Sequence, residues 1–71
     1  MNASSLQHNY RIQIILENRI LNSRHNLERN EMVRLVNEIA ERYSRANRNV
    51  DVVVYQHGNS QEPILVVNSN D

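Results

Sequence analysis

Apolar residues fall into three short stretches that carry the patterns of β-strands. Every second residue from Tyr10 to Leu16 is apolar or aromatic, and Ile15 is the one apolar residue between them. This alternation is typical of a strand with one buried face. Residues 52–55 and 64–67 are apolar without interruption, a pattern that favours burial of both faces of a strand. The chain is therefore expected to form three strands, two of which carry apolar side chains on both faces.

A helix is predicted between the first two strands, from residue 27 to about residue 46. Acidic residues lie in its first turns and Arg residues at its end, in agreement with the helix dipole. Glu41 precedes Arg45 by four residues, the favourable order for an ion pair. Asn47 or Asn49 can adopt the left-handed conformation that ends many helices. The apolar positions recur at steps of four and three, as one helix face requires, and they are Met32, Val36, Ile39 and Tyr43.

The polar segments between these elements are predicted to be connections. Residues 18–26 are expected to form a loop that supplies the N-cap of the helix. Ile20 and Leu21 are expected to anchor this loop to the core. Residues 57–63 hold the only Gly and the only Pro of the chain, so they are predicted to form a turn.

These elements predict an α+β domain of two layers, in which one long helix packs on one face of a three-stranded sheet. In the order β-α-β-β, the helical crossover is expected to join parallel strands in the right-handed sense. The short turn is expected to join the last two strands as an antiparallel hairpin. The domain is expected to span residues 10–67, with flexible tails at residues 1–9 and 68–71.

The face of the sheet away from the helix is predicted to be an interface. One helix covers only one face of a sheet, so the apolar side chains on the other face need a different cover. We expect a homodimer or a small symmetric oligomer with stacked sheets. Strand edges that pair across chains are one alternative, and a turn and termini folded over the face are another. The predicted interface residues are Ile15, Val53, Tyr55, Leu65 and Val67.

Composition narrows the class of protein. The 71 residues have room for one domain, and a chain of this size buries only about 60% of its unfolded surface, which also favours oligomerisation. Cys is absent, so we predict neither disulfides nor thiolate metal sites. The first residues have neither the basic end nor the apolar core of a signal peptide, so we expect no such peptide, and no apolar run is long enough to span a membrane. A cytoplasmic protein that does not associate with membranes is expected.

No motif in the sequence specifies a chemistry. Eight basic and eight acidic residues balance to a net charge of zero, so no overall charge attracts nucleic acid or anionic lipid. We expect a non-enzymatic protein-binding module (a regulator, adaptor or inhibitor) with no cofactor, no metal and no catalytic residues. A nucleic-acid-binding dimer that uses Arg residues at the helix ends is the alternative, and a small enzyme is the third hypothesis. The predicted contact residues for a protein partner are Arg42, Arg45, Arg48, His57, Asn59 and Glu62.

Part of the chain resembles the β-α-β pattern of the small tautomerases. The resemblance includes the strand that ends at Leu16, residues 32–39 of the helix and residues 50–54. It implies the topology and the oligomeric assembly of that family. The catalytic group of the family is an N-terminal proline, whereas the only proline of this chain is Pro63. The resemblance therefore implies no tautomerase activity.

Overall fold

The computed structural model describes residues 9–59 and 61–70. Its elements along the chain are β1 (Tyr10–Leu16), β2 (Arg19–Leu27), α1 (Arg29–Arg45), β3 (Asp51–Gln56) and β4 (Leu65–Asn68). The strands form one sheet in the order β2-β1-β3-β4, and each neighbouring pair is antiparallel. The predicted α+β class is confirmed. The predicted three strands in the order β-α-β-β are wrong, because the described residues form four strands in the order β-β-α-β-β.

The additional strand is β2, which replaces the predicted loop at residues 18–26. Glu17 and Asn18 have φ angles of 51° and 67°, and two consecutive positive φ angles are the mark of a type I′ hairpin turn. The turn joins β1 to β2 directly. Ile20 and Leu21, predicted to anchor a loop to the core, are exposed on β2. The helix packs mainly on β1, β3 and β4, so most of β2 is exposed on both faces and only its last residue, Leu27, is buried. No alternation of apolar residues therefore marks the strand.

Because of the additional strand, the helix follows β2 and not β1, so the pair of strands predicted to be parallel is antiparallel. β1 pairs antiparallel with β2 and also with β3, so β2 and β3 run in the same direction on either side of β1. The helix therefore connects β2 to β3, and the predicted parallel pairing of the first strand with the strand after the helix is wrong. The topology implied by the tautomerase resemblance is absent for the same reason. The predicted antiparallel hairpin of the last two strands is confirmed.

The core lies between α1 and one face of the sheet. Met32, Val36 and Ile39 are buried on the helix, as predicted, and Tyr43 packs against the same cluster. Each fully buried Val or Ile side chain stabilises the fold by about 1.5–3 kcal/mol. The remaining residues of the core are Ile12, Ile14, Leu27, Val50, Val52 and Val54.

The two ends of α1 differ in how well they are capped. The N-cap is Glu28, whose side chain makes no capping hydrogen bond, so the N-cap predicted within residues 18–26 is wrong. At the other end Asn47 has a φ of 59°, which confirms it as the left-handed residue. The Asn47 N–H donates to the Ser44 carbonyl at 3.0 Å, and the Arg48 N–H donates to the Tyr43 carbonyl at 2.9 Å. These two bonds form a Schellman motif.

The C-terminal segment belongs to the fold beyond the predicted boundary at residue 67. Asn68 is part of β4, and Ser69 is buried. The Ser69 hydroxyl accepts the Val50 N–H at 2.9 Å and donates to the Arg48 carbonyl at 2.7 Å. The predicted tail at residues 68–71 therefore starts too early. Of the predicted tail at residues 1–9, all but Asn9 lies outside the described residues.

Candidate functional site

The face of the sheet away from α1, here called the outer face, is defined by the strand register. Ile12 and Ile14 are in the core, so Gln13 and its cross-strand partners point to the opposite side. Within the described residues, no helix or strand packs on the outer face. Successive cross-strand pairs place on it Ile20 and Ser23 of β2, Arg11, Gln13 and Ile15 of β1, Asp51, Val53 and Tyr55 of β3, and Val66 and Asn68 of β4.

The structure distributes the predicted interface residues over both faces. Ile15, Val53 and Tyr55 share the outer face, as the pattern predicted. Leu65 and Val67 pair with Val54 and Val52, which places them on the helix side, and Val67 packs against the core. Their placement on the outer face is thus wrong, because the registry of β4 puts Val66 there instead.

The outer face is less apolar than the uninterrupted valine run suggested. Val53 is only 6% exposed in the single chain, with Gln13 and Val66 as its cross-strand neighbours. The Arg11 guanidinium lies 4.5 Å from the centroid of the Tyr55 ring, so a cation covers the aromatic ring of the outer face. The central valine needs no second chain for its burial.

The edge of the sheet formed by β4 carries the most concentrated exposed apolar surface. Ile64, Leu65 and Val66 are 47%, 39% and 54% exposed, and β4 contains no charged residue. These three consecutive residues are here called the β4 edge. Natural edge strands are usually protected by charges, prolines or bulges against pairing with other chains. Between Leu65 and Asn68 the structure shows none of these protections.

The backbone of Val66 points away from the sheet. The Ser69 N–H donates to the Val50 carbonyl at 3.0 Å. Residues 50 and 69 are therefore a hydrogen-bonded pair that continues the ladder between β3 and β4. Hydrogen-bonded and non-hydrogen-bonded pairs alternate along an antiparallel ladder. The pair of Val53 and Val66 is therefore a non-hydrogen-bonded pair, and the N–H and carbonyl of Val66 face outward from the edge.

The predicted partner-binding residues lie in two separate places. One exposed group lies at the C-terminal end of α1. Arg42 and Arg45 are in its last turn, and Arg48 lies between the helix and β3. The other lies in the connection after β3 and consists of His57, Asn59 and Glu62. β3 has six residues, and a strand rises about 3.3 Å per residue, so the groups are separated by roughly 20 Å. They do not form one surface.

The Arg residues at the helix end are partly occupied. Arg45 forms the predicted ion pair with Glu41, at 3.2 Å, and both side chains are mostly exposed. Such a pair contributes at most about 0.5 kcal/mol. Arg42 lies on the same surface as Glu38 and Glu41. This mixed charge gives no isolated basic patch at the end of α1.

The connection after β3 is held against the start of β1 by backbone hydrogen bonds. The Asn59 N–H donates to the Gln56 carbonyl at 3.0 Å, and Gly58 has a φ of 91°, as the third position of a type II turn requires. The His57 N–H donates to the Asn9 carbonyl at 2.6 Å. His57 is thereby fixed beside the residue that precedes β1.

A cleft of about 340 Å³ opens at this end of the sheet. It brings together Arg11 and two histidines that are far apart along the chain, and none of its described lining residues is acidic. The cleft could not be expected from the sequence, because the predicted elements place His25 in a loop and His57 in a separate turn. The lining residues are Asn9, Tyr10, Arg11, His25, Asn26, Tyr55, Gln56, His57 and Gly58.

Two kinds of site are absent from the part of the chain that the structure describes. No group of three or more His, Asp or Glu residues there is arranged to hold a metal ion. No helix in residues 9–59 or 61–70 has the length and the apolar character needed to cross a membrane.

No protein-family model matches this chain, and neither a curated protein nor a solved structure matches it. The resemblance to the small tautomerases is therefore not supported by a family match. The antiparallel pairing of β1 with β3 also departs from the topology that the likeness implied.

Proposed function

We propose that the chain is a small non-enzymatic protein-binding module that acts as a homodimer through its β4 edge. The observation that supports this proposal is the outward-facing backbone of Val66 within an exposed apolar strand edge. An unprotected edge strand is a template for another strand. A second copy of this chain offers a strand of matching length and the same apolar character.

A two-fold axis through Val66 would satisfy the outward-facing groups. Residues on a two-fold axis meet their own counterparts, so Val66 of the two copies would exchange both backbone hydrogen bonds. Leu65 would then face Val67 of the partner subunit on the helix side, an apolar pair. The two four-stranded sheets would join into one continuous sheet, with both helices on the same side.

Stacking of two outer faces, as the sequence pattern suggested, is less favourable than edge pairing. The outer face carries Arg11, Gln13 and Asp51 among its apolar residues, and burial of polar groups without partners costs free energy. Edge pairing instead adds hydrogen bonds to an unpaired backbone and leaves these polar side chains in water. Val53, the most central apolar residue of the outer face, is already buried.

The proposal predicts that Val66→Lys converts the dimer into a folded monomer. The axis would place two Lys residues side by side at the centre of the interface, where like charges repel. In the single chain Val66 is 54% exposed, so the Lys side chain would reach water without disturbing the core. Sedimentation equilibrium measures the mass, and far-ultraviolet circular dichroism verifies the fold.

The matched control is Val33→Lys. Val33 is 46% exposed on α1, so the control adds the same charge to a similarly exposed valine away from the β4 edge. We expect the wild type and Val33→Lys to have twice the 8.4 kDa chain mass and Val66→Lys to have that mass once. A dimer that persists in Val66→Lys but dissociates in Ile20→Lys would contradict edge pairing and support stacked outer faces.

Nucleic-acid binding is a second candidate, and β2 is the feature that favours it. This exposed strand carries Arg19, Arg24 and His25 and contains no acidic residue. Basic side chains on an accessible strand suit contacts with phosphates. Fluorescence anisotropy with a labelled oligonucleotide at low salt tests it. Salt-sensitive binding that is lost in Arg19→Ala/Arg24→Ala, and kept in Arg42→Ala/Arg45→Ala, would support β2 over the helix end.

A further inference from the structure

The cleft at the end of the sheet owes its shape to a β-bulge in β2. Tyr10 pairs with Leu27 and Ile12 pairs with Arg24, so two residues of β2 lie opposite Arg11. The second of them, Asn26, has a φ of 56°, a conformation that non-glycine residues adopt infrequently. Bulges occur often next to functional sites because they redirect a side chain. Here the bulge places His25 and Asn26 in the wall of the cleft.

Arg11 is the one formally charged side chain among the described residues that line the cleft, and no described carboxylate pairs with it. Among the described residues, Arg45 and Glu41 form the one ion pair between an Arg and a carboxylate, and Arg11 takes no part in it. The Arg11 guanidinium lies over Tyr55, and its Nε atom is buried without a hydrogen-bond acceptor. A buried donor that stays unsatisfied costs free energy. The terminal nitrogens of the same guanidinium carry further N–H donors, and an anion in the cleft would accept hydrogen bonds from them.

The other polar side chains of the cleft can also donate hydrogen bonds. The histidines at positions 25 and 57 come from opposite walls, the bulge and the turn after β3. The Arg11 guanidinium supplies a positive charge, and none of the described lining residues is acidic.

We propose that this cleft binds a phosphate group, either as inorganic phosphate or as a small phosphomonoester. The planar guanidinium of Arg11 donates in the paired geometry that phosphate oxygens accept. The volume of about 340 Å³ is within the range of small-molecule sites, roughly 300–1,000 Å³. It leaves room for an organic group beside Tyr10 or Tyr55. No residue of β4 lines the cleft, so the site is independent of the proposed dimer contact.

Titration followed by nuclear magnetic resonance of backbone amides tests the site. The probes are inorganic phosphate and ribose 5-phosphate, added to the full chain at constant ionic strength with sodium chloride as the reference salt. We expect saturable shifts confined to the cleft, above all at Arg11, His25 and His57. Tighter binding of ribose 5-phosphate identifies a phosphomonoester site, and equal binding identifies a site for phosphate itself. The absence of saturable shifts at millimolar concentrations of both probes would overturn the proposal.

A pair of Arg variants separates a specific site from general attraction of anions. Arg11→Gln removes the guanidinium and is expected to weaken binding about tenfold or more, the scale of one charge-assisted contact. Arg24→Gln removes the same charge from a neighbouring position that pairs with Ile12 and does not line the cleft, so binding should stay within about twofold. Equal losses in the two variants would contradict a specific site.

A third variant keeps the test informative if Arg11→Gln fails to fold. His25 is exposed on β2, so His25→Gln should leave the fold intact, which circular dichroism verifies. We expect several-fold weaker binding of both probes in this variant. Unchanged binding in His25→Gln would contradict the assignment of the bulge as one wall of the site.

Discussion

Ser69 joins the C-terminal end of β4 to the segment that follows α1. Its hydroxyl accepts the Val50 N–H and donates to the Arg48 carbonyl, so both functions of this buried group are satisfied. Its own N–H donates to the Val50 carbonyl. A residue within the predicted flexible tail therefore closes the fold at the start of β3.

We predict that Ser69→Ala lowers the free energy of unfolding by about 1–3 kcal/mol. The variant removes the hydroxyl, which leaves the Val50 N–H unsatisfied in a buried place and the part-buried Arg48 carbonyl without its donor, and a buried unsatisfied neutral group costs this much. Urea denaturation followed by circular dichroism measures the change. Ser44→Ala, on the exposed surface of α1, is the control and should change stability by less than about 0.5 kcal/mol. Equal effects of the two variants would show that the Ser69 bonds do not stabilise the fold.

Single residues differ in how far the sequence reveals their role. Asn47 is one of the two left-handed candidates that the sequence predicts at the helix end, because Asn residues at helix ends follow a local rule. The roles of Ser69 and Arg11 are not predicted, because the partners of these residues are distant along the chain and depend on which strands become neighbours. The candidate cleft could not be predicted for the same reason: Arg11 meets His25 only through the bulge of an unpredicted strand.

At the scale of elements, α1 was predicted well and β2 was missed. The helix has a solvent side and a core side, so its sequence shows the period of 3.6 residues. The strand β2 lies at an edge of the sheet and only its last residue, Leu27, is buried, so neither of its faces shows an apolar period. Its hairpin turn uses Glu17 and Asn18 rather than the Asn-Gly or Asp-Gly pairs by which such turns are recognised.

The N-terminus of α1 can be stabilised by one substitution. Glu28 has the extended backbone of an N-cap, with φ of −72° and ψ of 156°, but its side chain makes no capping bond. Asp at this position has the shorter side chain that reaches the free N–H groups of the first turn. We predict that Glu28→Asp raises the free energy of unfolding by roughly 0.5–2 kcal/mol.

Thermal and urea denaturation of Glu28→Asp check this prediction. The substitution leaves the net charge of the chain unchanged. The control is Glu31→Asp, which makes the same substitution inside the first turn of α1, where Asp has lower helix propensity. We expect stabilisation at position 28 and a small loss at position 31. Stabilisation of both variants, or of neither, would contradict a missing cap at Glu28.

At the scale of the whole molecule, the sequence pattern predicts an excess of apolar surface without locating it. An uninterrupted apolar run is expected for a strand buried on both faces and equally for an edge strand that pairs with another chain. Residues 52–55 form the first kind, because the fold buries Val53 between neighbouring strands. Residues 64–66 remain exposed at the sheet edge, whereas Val67 packs against the core. Only the order of the strands separates the two cases.

The two proposals assign different parts of this small sheet to different tasks. The β4 edge, with Ile64, Leu65 and Val66, would hold a second copy of the chain. The cleft around Arg11 lies beyond the end of β3 and would hold a phosphate group. Edge pairing leaves that cleft open in both subunits, so a dimer would carry two equivalent sites.

The most direct measurement of the central claim is hydrogen exchange at the backbone amide of Val66. In a single chain this N–H points away from β3 into water, whereas in the paired edges it donates to Val66 of the partner subunit. The account predicts strong protection that decreases as the protein is diluted, together with unchanged protection of Val53 in the sheet centre. An amide of Val66 that exchanges freely at every concentration, while the sheet remains folded, would contradict it.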